Sequence, residues 1–221
     1  MYKIIRIQKK ILNELLIDFY RTVSIILKKK ISSFDIKFFK ILDDPIKRSK
    51  VFDCLNMSLA LQRVNHEISK KKVEKIIKKK IINWTYPQIR LDGKFAKNFA
   101  APLHVDKWIL HPKKKGYTIW FPLNKNGGSL LISNKKKINK IISDKYWNLK
   151  GLDENLNFKK ININFGQALL FDQSLIHKSL SQQNRISVQF RYEVLTKNFN
   201  KRTVNQVVDP EVLKFWRKQL L

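Results

Sequence analysis

The chain has a single cysteine, Cys54, in 221 residues. A lone thiol excludes a disulfide framework and any zinc site built from several cysteines, and it fits a reducing compartment. Cys54 itself is expected to be a buried, inert thiol. No apolar run approaches the ~18 residues needed to span a bilayer. The apolar stretches between Met1 and Leu27 are broken by Lys9, Lys10, Glu14 and Asp18, and they lack the continuous apolar centre and small-residue cleavage site of a secretory signal. Together these absences point to a cytoplasmic protein with no membrane span.

Acidic residues are scarce too. There are 17 Asp and Glu against 46 Lys and Arg, for a formal charge of +29. Such an excess invites a nucleic-acid or anionic-surface reading, because basic side chains that neutralise phosphates supply much of the affinity in those complexes. Two features argue against it. The excess is spread along the chain, +13 over residues 1–84 and +16 over 85–221, and only 9 of the 46 are Arg, the residue best suited to forked phosphate recognition. Lys28 to Lys30 and Lys78 to Lys80 fall where helical patterns end, where the helix dipole favours cations. The lysines are therefore read as a solvated surface reflecting an AT-rich coding sequence.

What is present is a foldable composition. Hydrophobic residues make up 43% and aromatics 11%, and the length suits one domain with a core that needs no staples. From Ile4 to Leu27 apolar residues recur at steps of three and four, which predicts an amphipathic helix. A second helical stretch, Pro45 to about Arg63, starts behind Asp43 and Asp44 as caps, with Pro45 in the first turn. A third runs from about His66 to Ile82.

After Trp84 the texture changes to short β-rich runs: Gln88 to Leu91, Tyr117 to Leu123, Ser129 to Ile132, Ile161 to Asn164, Ala168 to Phe171 and Arg185 to Val194. Turn formers separate them, notably Asn126-Gly127-Gly128 and Asn164 to Gly166. This predicts an α+β fold with a mainly antiparallel β core, a sandwich or jelly roll, under an N-terminal helical layer. The expected division is 1–84 helical layer, 85–200 β core and 201–221 closing helix, all in one domain.

The chemistry concentrates at His104-Val105-Asp106. On an extended strand, positions i and i+2 share a face, so an imidazole and a carboxylate converge. His177, 73 residues later, can supply a third ligand. Two histidines and one carboxylate on one triangular face, with the remaining positions open, are what non-haem Fe(II) oxygenases use. A lone H-x-D is a weak signal. Its company strengthens it, because Arg185 stands eight residues after His177 at the head of a strand, and a guanidinium is the natural two-pronged partner of a carboxylate.

Gly166 to Asp172, then His177-Lys178-Ser179, Asn184 and Arg185 to Tyr192 resemble the C-terminal signature of the phytanoyl-CoA dioxygenase family. Gln88 to Asp92, His104-Val105-Asp106 and Tyr117 to Leu123 resemble, in order, its earlier blocks, so the resemblance covers roughly residues 85 to 195. It implies a double-stranded β-helix (jelly roll, cupin-like) and an Fe(II)- and 2-oxoglutarate-dependent dioxygenase that consumes O2 to hydroxylate a small-molecule substrate. Carried over, His104, Asp106 and His177 would hold iron. Arg185 and Ser179 would hold the far carboxylate of 2-oxoglutarate, with Trp120 and Thr118 walling its pocket and Gln88 near the substrate. Trp108, two residues beyond Asp106, is a further substrate-side expectation.

Two departures matter. The His177-to-Arg185 interval is about three residues shorter than the commonest family spacing, which keeps Arg191 as a rival cosubstrate anchor. Ser133-Asn134-Lys135-Lys136 stands where the family often has a Pro-Gly-Ser-His turn. Asp106, present where related halogenases have a small residue, argues for hydroxylation. The alternatives are a catalytically silent β-helix protein, opposed by the complete triad and Arg185, and a lysine-driven binder of nucleic acid or anionic surfaces, opposed by the diffuse charge.

Overall fold

The computed structural model describes residues 2–68, 72–83, 87–92, 103–106, 115–133, 157–180 and 184–195. They form two antiparallel sheets and a layer of helices. The larger sheet runs β1 (Tyr2–Arg6), β7 (Gln167–Asp172), β4 (Gly116–Pro122), β9 (Arg185–Val194), β2 (Ile81–Asn83), with β3 (Gln88–Asp92) also pairing β9. The smaller sheet runs β6 (Phe158–Ile163), β5 (Gly128–Ser133), β8 (His177–Ser179).

Side-chain alternation gives the larger sheet two different faces. One face carries Ile186, Val188, Phe190, Tyr192 and Val194 of β9 with Ile119 and Phe121 of β4, and it shares a core with Leu12, Leu15 and Phe19 of α1 (Lys9–Leu27) and with Val51 and Leu55 of α3 (Pro45–Asn56). The other face sends Trp120, Leu169 and Phe171 against Leu130, Ile132, Ile161 and Ile163 of the smaller sheet. Polar ties fix the helices on the sheet. The Tyr192 hydroxyl donates to Asn65 Oδ1 of α4 (Leu59–Ile68) at 2.8 Å, and Ile89 N donates to Asn56 Oδ1 at 2.8 Å. Both Tyr192 and Asn65 are buried, so this bond spares two polar groups an unpartnered burial.

The β9 boundaries match the expected run, and the other β-rich runs fall within a few residues of β3 to β7. Asp44 caps α3 as expected, accepting from Ile46 N and Lys47 N with Pro45 in the first turn. Lys28 and Lys78 close α1 and α5 (Glu74–Ile77) in the left-handed region, at φ 49° and 53°.

Several expectations need correction. The first helix starts at Lys9, not Ile4, because residues 2–6 pair with β7 in register from Tyr2↔Phe171 to Arg6↔Gln167. The helical stretch to Arg63 breaks at Met57-Ser58 into α3 and α4, and the one expected to reach Ile82 ends in β2, which pairs with β9. A short α2 (Ile36–Ile41), capped by Asp35, was not anticipated. Cys54 is exposed rather than buried, since α3 turns Val51 and Leu55 to the core. The closing helix at 201–221 and Trp108 lie outside the described residues.

Candidate metal centre

His104 and His177 are brought together by backbone pairing. Each donates its N–H to the other's carbonyl, at 3.0 and 2.9 Å, in an isolated antiparallel bridge. Residues paired in this way project side chains to the same side, and the two imidazole centroids stand 4.2 Å apart. Asp106 belongs to no strand, so the expected i, i+2 alternation is replaced by this bridge plus a carboxylate held from across the fold. The three residues offer one donor atom each within 4.8 Å of one another, and all three are buried. Asp106 Oδ1 lies 3.7 Å from His104 Nε2, and Oδ2 lies 3.9 Å from His177 Nε2.

The surroundings aim these donors. His177 Nδ1 is 3.0 Å from the Leu175 carbonyl; donating there leaves Nε2 with its lone pair toward Asp106, the arrangement typical of a metal-binding histidine. Thr118 Oγ1 donates to Asp106 Oδ2 at 2.6 Å and Arg191 Nη2 donates to Oδ1 at 3.1 Å. Burial alone would raise the Asp106 pKa, yet Arg191 and the two imidazoles hold it well below the usual carboxylate range. Burial, reinforced by His104, pushes His177 down to about 3. The carboxylate is thus charged and His177 neutral, the protonation states in which both bind metals.

Arg185 stands at the far end of the same inner face. Its Nε and Nη2 donate to Asp92 Oδ2 at 3.0 and 2.5 Å, and Nη1 donates to the Ser129 carbonyl at 2.9 Å. Its Cζ lies 5.0 Å from the Trp120 ring centroid. Gly128 permits this closeness, because a Cβ there would come within 2.9 Å of Arg185 Cδ and 3.1 Å of Trp120 Cη2. Burial lowers the Arg185 pKa and Asp92 opposes that; burial raises Asp92, and Arg90 and Arg185 together bring it below its ordinary value.

Of the other expected residues, Trp120 is fully buried over Arg185, and Ser179 is half-buried on β8 opposite Leu130. Thr118 contacts the triad carboxylate directly. Gln88 Oε1 accepts from Arg191 Nη1, and Arg191 Nη2 also donates to Gln189 Oε1 at 2.8 Å. Arg191 therefore belongs to the triad's own carboxylate, while Arg185 is set apart from it. Sequence reasoning missed Asp92, Ser187 and Gln189. The signal for the last two was available, since every second residue of β9 from Arg185 to Glu193 is polar.

Among the described residues, Trp120 Nε1, Ser187 Oγ and Arg191 Nε are buried without a hydrogen-bond partner. Buried donors without acceptors are costly, and these three belong to the inner faces of β4 and β9. The set fits a divalent ion at the triad and an acceptor-rich molecule beside it.

No protein-family model matches the chain, and no curated protein matches it. Solved structures do. AviO1 from Streptomyces viridochromogenes Tue57 is similar over 90% of this chain and 91% of its own, at 11% identity and TM-score 0.52. HygX from Streptomyces hygroscopicus, solved with nickel and 2-oxoglutarate bound, matches over 90% and 84% at 13% identity and TM-score 0.46. EvdO2 from Micromonospora carbonacea var. aurantiaca matches 67% of this chain at 13% identity and TM-score 0.40, and the match spans 66% of its own length. At these identities the likeness, carried by AviO1, is one of fold: helices with antiparallel sheets.

Proposed function

We propose that this protein is a non-haem iron- and 2-oxoglutarate-dependent oxygenase, a hydroxylase of the phytanoyl-CoA dioxygenase kind, acting in the cytoplasm on a small-molecule substrate. The observation that carries the reading is the buried convergence of His104, Asp106 and His177 within 4.8 Å. The two sheets enclosing that centre are read as a double-stranded β-helix in a single domain with the helical layer. HygX, solved with iron and with nickel plus 2-oxoglutarate, lends the choice of ligands its precedent.

Charge supports a dianionic cosubstrate. Among the described residues, the buried and half-buried ionic groups on the inner faces of β3 and β9 and at the triad are Arg90, Arg185 and Arg191 against Asp92, Asp106 and Glu193, which balance. A divalent ion adds two positive charges, and a dicarboxylate restores neutrality in a region that disfavours net charge. In this reading the triad holds iron and Arg185 binds the distal carboxylate, with Ser187, Ser179 and the Trp120 indole N–H as neighbouring donors. Arg191 and Thr118 fix both oxygens of Asp106, and Gln88 holds Arg191. The surrounding apolar side chains of Leu130, Ile132, Leu169 and Phe171 exclude water. Iron with 2-oxoglutarate and O2 supplies the oxidising chemistry, releasing succinate and carbon dioxide as oxygen is inserted at a substrate C–H bond. Gln88 and Trp108 remain proposed substrate-side residues.

The test is succinate formation from 2-oxoglutarate with Fe(II) and ascorbate across a panel of candidate substrates. Wild type is expected to be active and His104→Ala inactive; a wild type that binds neither Fe(II) nor 2-oxoglutarate would overturn the reading.

A further inference from the structure

Asp92 has no part in the triad, yet it is 5% exposed and lies in register opposite Arg185 on β9. Its Oδ2 takes both Nε and Nη2 of Arg185, while its Oδ1 sits 3.4 Å from Arg90 Nη2. Two guanidinium groups thus meet at one carboxylate. Arg185 has little room to leave, being clamped by the Ser129 carbonyl, the Trp120 ring and the close approach of Gly128. A buried guanidinium with no counter-ion is strongly destabilising, so Asp92 removes that cost while no ligand is present.

We propose that Asp92 is a resident carboxylate of the anion site: it stands against Arg185 in the ligand-free protein and thereby sets how tightly a dicarboxylic 2-oxoacid binds. This rests on the functional reading above. An incoming carboxylate within hydrogen-bond reach of Arg185, on whichever edge of the guanidinium, also meets the charge of Asp92, and like charges at that range oppose one another. Asp92 thereby moderates the attraction that Arg185 exerts on that carboxylate. Asp92 is therefore a positioning and affinity-setting residue, acting through Arg185.

Asp92→Asn keeps an acceptor oxygen and the side-chain size while removing the charge. The experiment is calorimetric titration of Ni(II)-loaded wild type and variant with 2-oxoglutarate and with 2-oxobutyrate, which shares the 2-oxoacid head and lacks the distal carboxylate. The variant is expected to bind 2-oxoglutarate at least about tenfold more tightly, with 2-oxobutyrate changed less than about twofold. Its melting temperature without oxoacid falls below that of wild type, and 2-oxoglutarate raises it by more than in wild type. A purely structural ion pair would lower the melting temperature without tightening the dicarboxylate, and unchanged or weaker 2-oxoglutarate binding by the variant overturns the proposal. If Ni(II)-loaded wild type binds no 2-oxoglutarate, the functional reading itself fails. Should the variant not fold, wild type decides. A preference for 2-oxoglutarate over 2-oxobutyrate below about a hundredfold fits a guanidinium already offset by Asp92, and a larger one overturns the proposal.

Discussion

Strand β9 is buried along both faces, and the two faces could hardly differ more. Toward the helices it presents Ile186, Val188, Phe190, Tyr192 and Val194; toward the smaller sheet it presents Arg185, Ser187, Gln189, Arg191 and Glu193. The first face needs no explanation beyond apolar burial, worth roughly 25 cal/mol per Å². The second carries charges and amides that lose their hydration on folding, a cost that apolar residues of similar volume would avoid. A chain that keeps five polar residues at alternate buried positions keeps them at a cost in stability, and the proposed function gives Arg191, beside the triad, a reason to be among them.

The helix-side face is tested first, because the effect there is largest. Phe190 is fully buried and packs at 5.7 Å from Phe121, so Phe190→Ala should lower the unfolding free energy by about 3–5 kcal/mol in urea titrations. The metal affinity of the fraction that remains folded should stay near wild type. Thr118→Val, on the inner side, is close to isosteric and removes only the donor to Asp106 Oδ2. It should weaken metal binding about tenfold and cost about 1 kcal/mol in stability. If it destabilised the fold as much as Phe190→Ala while leaving metal affinity unchanged, the two faces would have the same purpose. Cys54→Ser gives the baseline outside both faces: the residue is exposed, and the change should stay within about 0.5 kcal/mol.

How much of this could be read from the sequence depends on the range of the interactions involved. Strand β9 was legible from end to end because alternation along one segment is local information. The triad was legible because ligand chemistry restricts residue types strongly, even though the backbone that unites His104 and His177 is a single bridge rather than the expected strand. Strand β1 was not legible. Ile4 and Ile5 continue the helical spacing that follows, and only the open edge of β7, some 160 residues away, draws residues 2–6 into a sheet. The Asp92–Arg185 pair was equally hidden, since its members are 93 positions apart and Asp92-Gly93 reads locally as a turn. Asp172 caps the turn after β7, accepting from Ser174 N and Oγ, a contact between near neighbours in the chain.

The most direct test of the central claim is anaerobic equilibrium dialysis of Fe(II) against wild type and single alanine variants of His104, Asp106 and His177. One ion per chain is expected in wild type, with affinity reduced at least about a hundredfold in each variant. An ion retained equally by all four proteins, or by none of them, would contradict a metal centre at these three side chains.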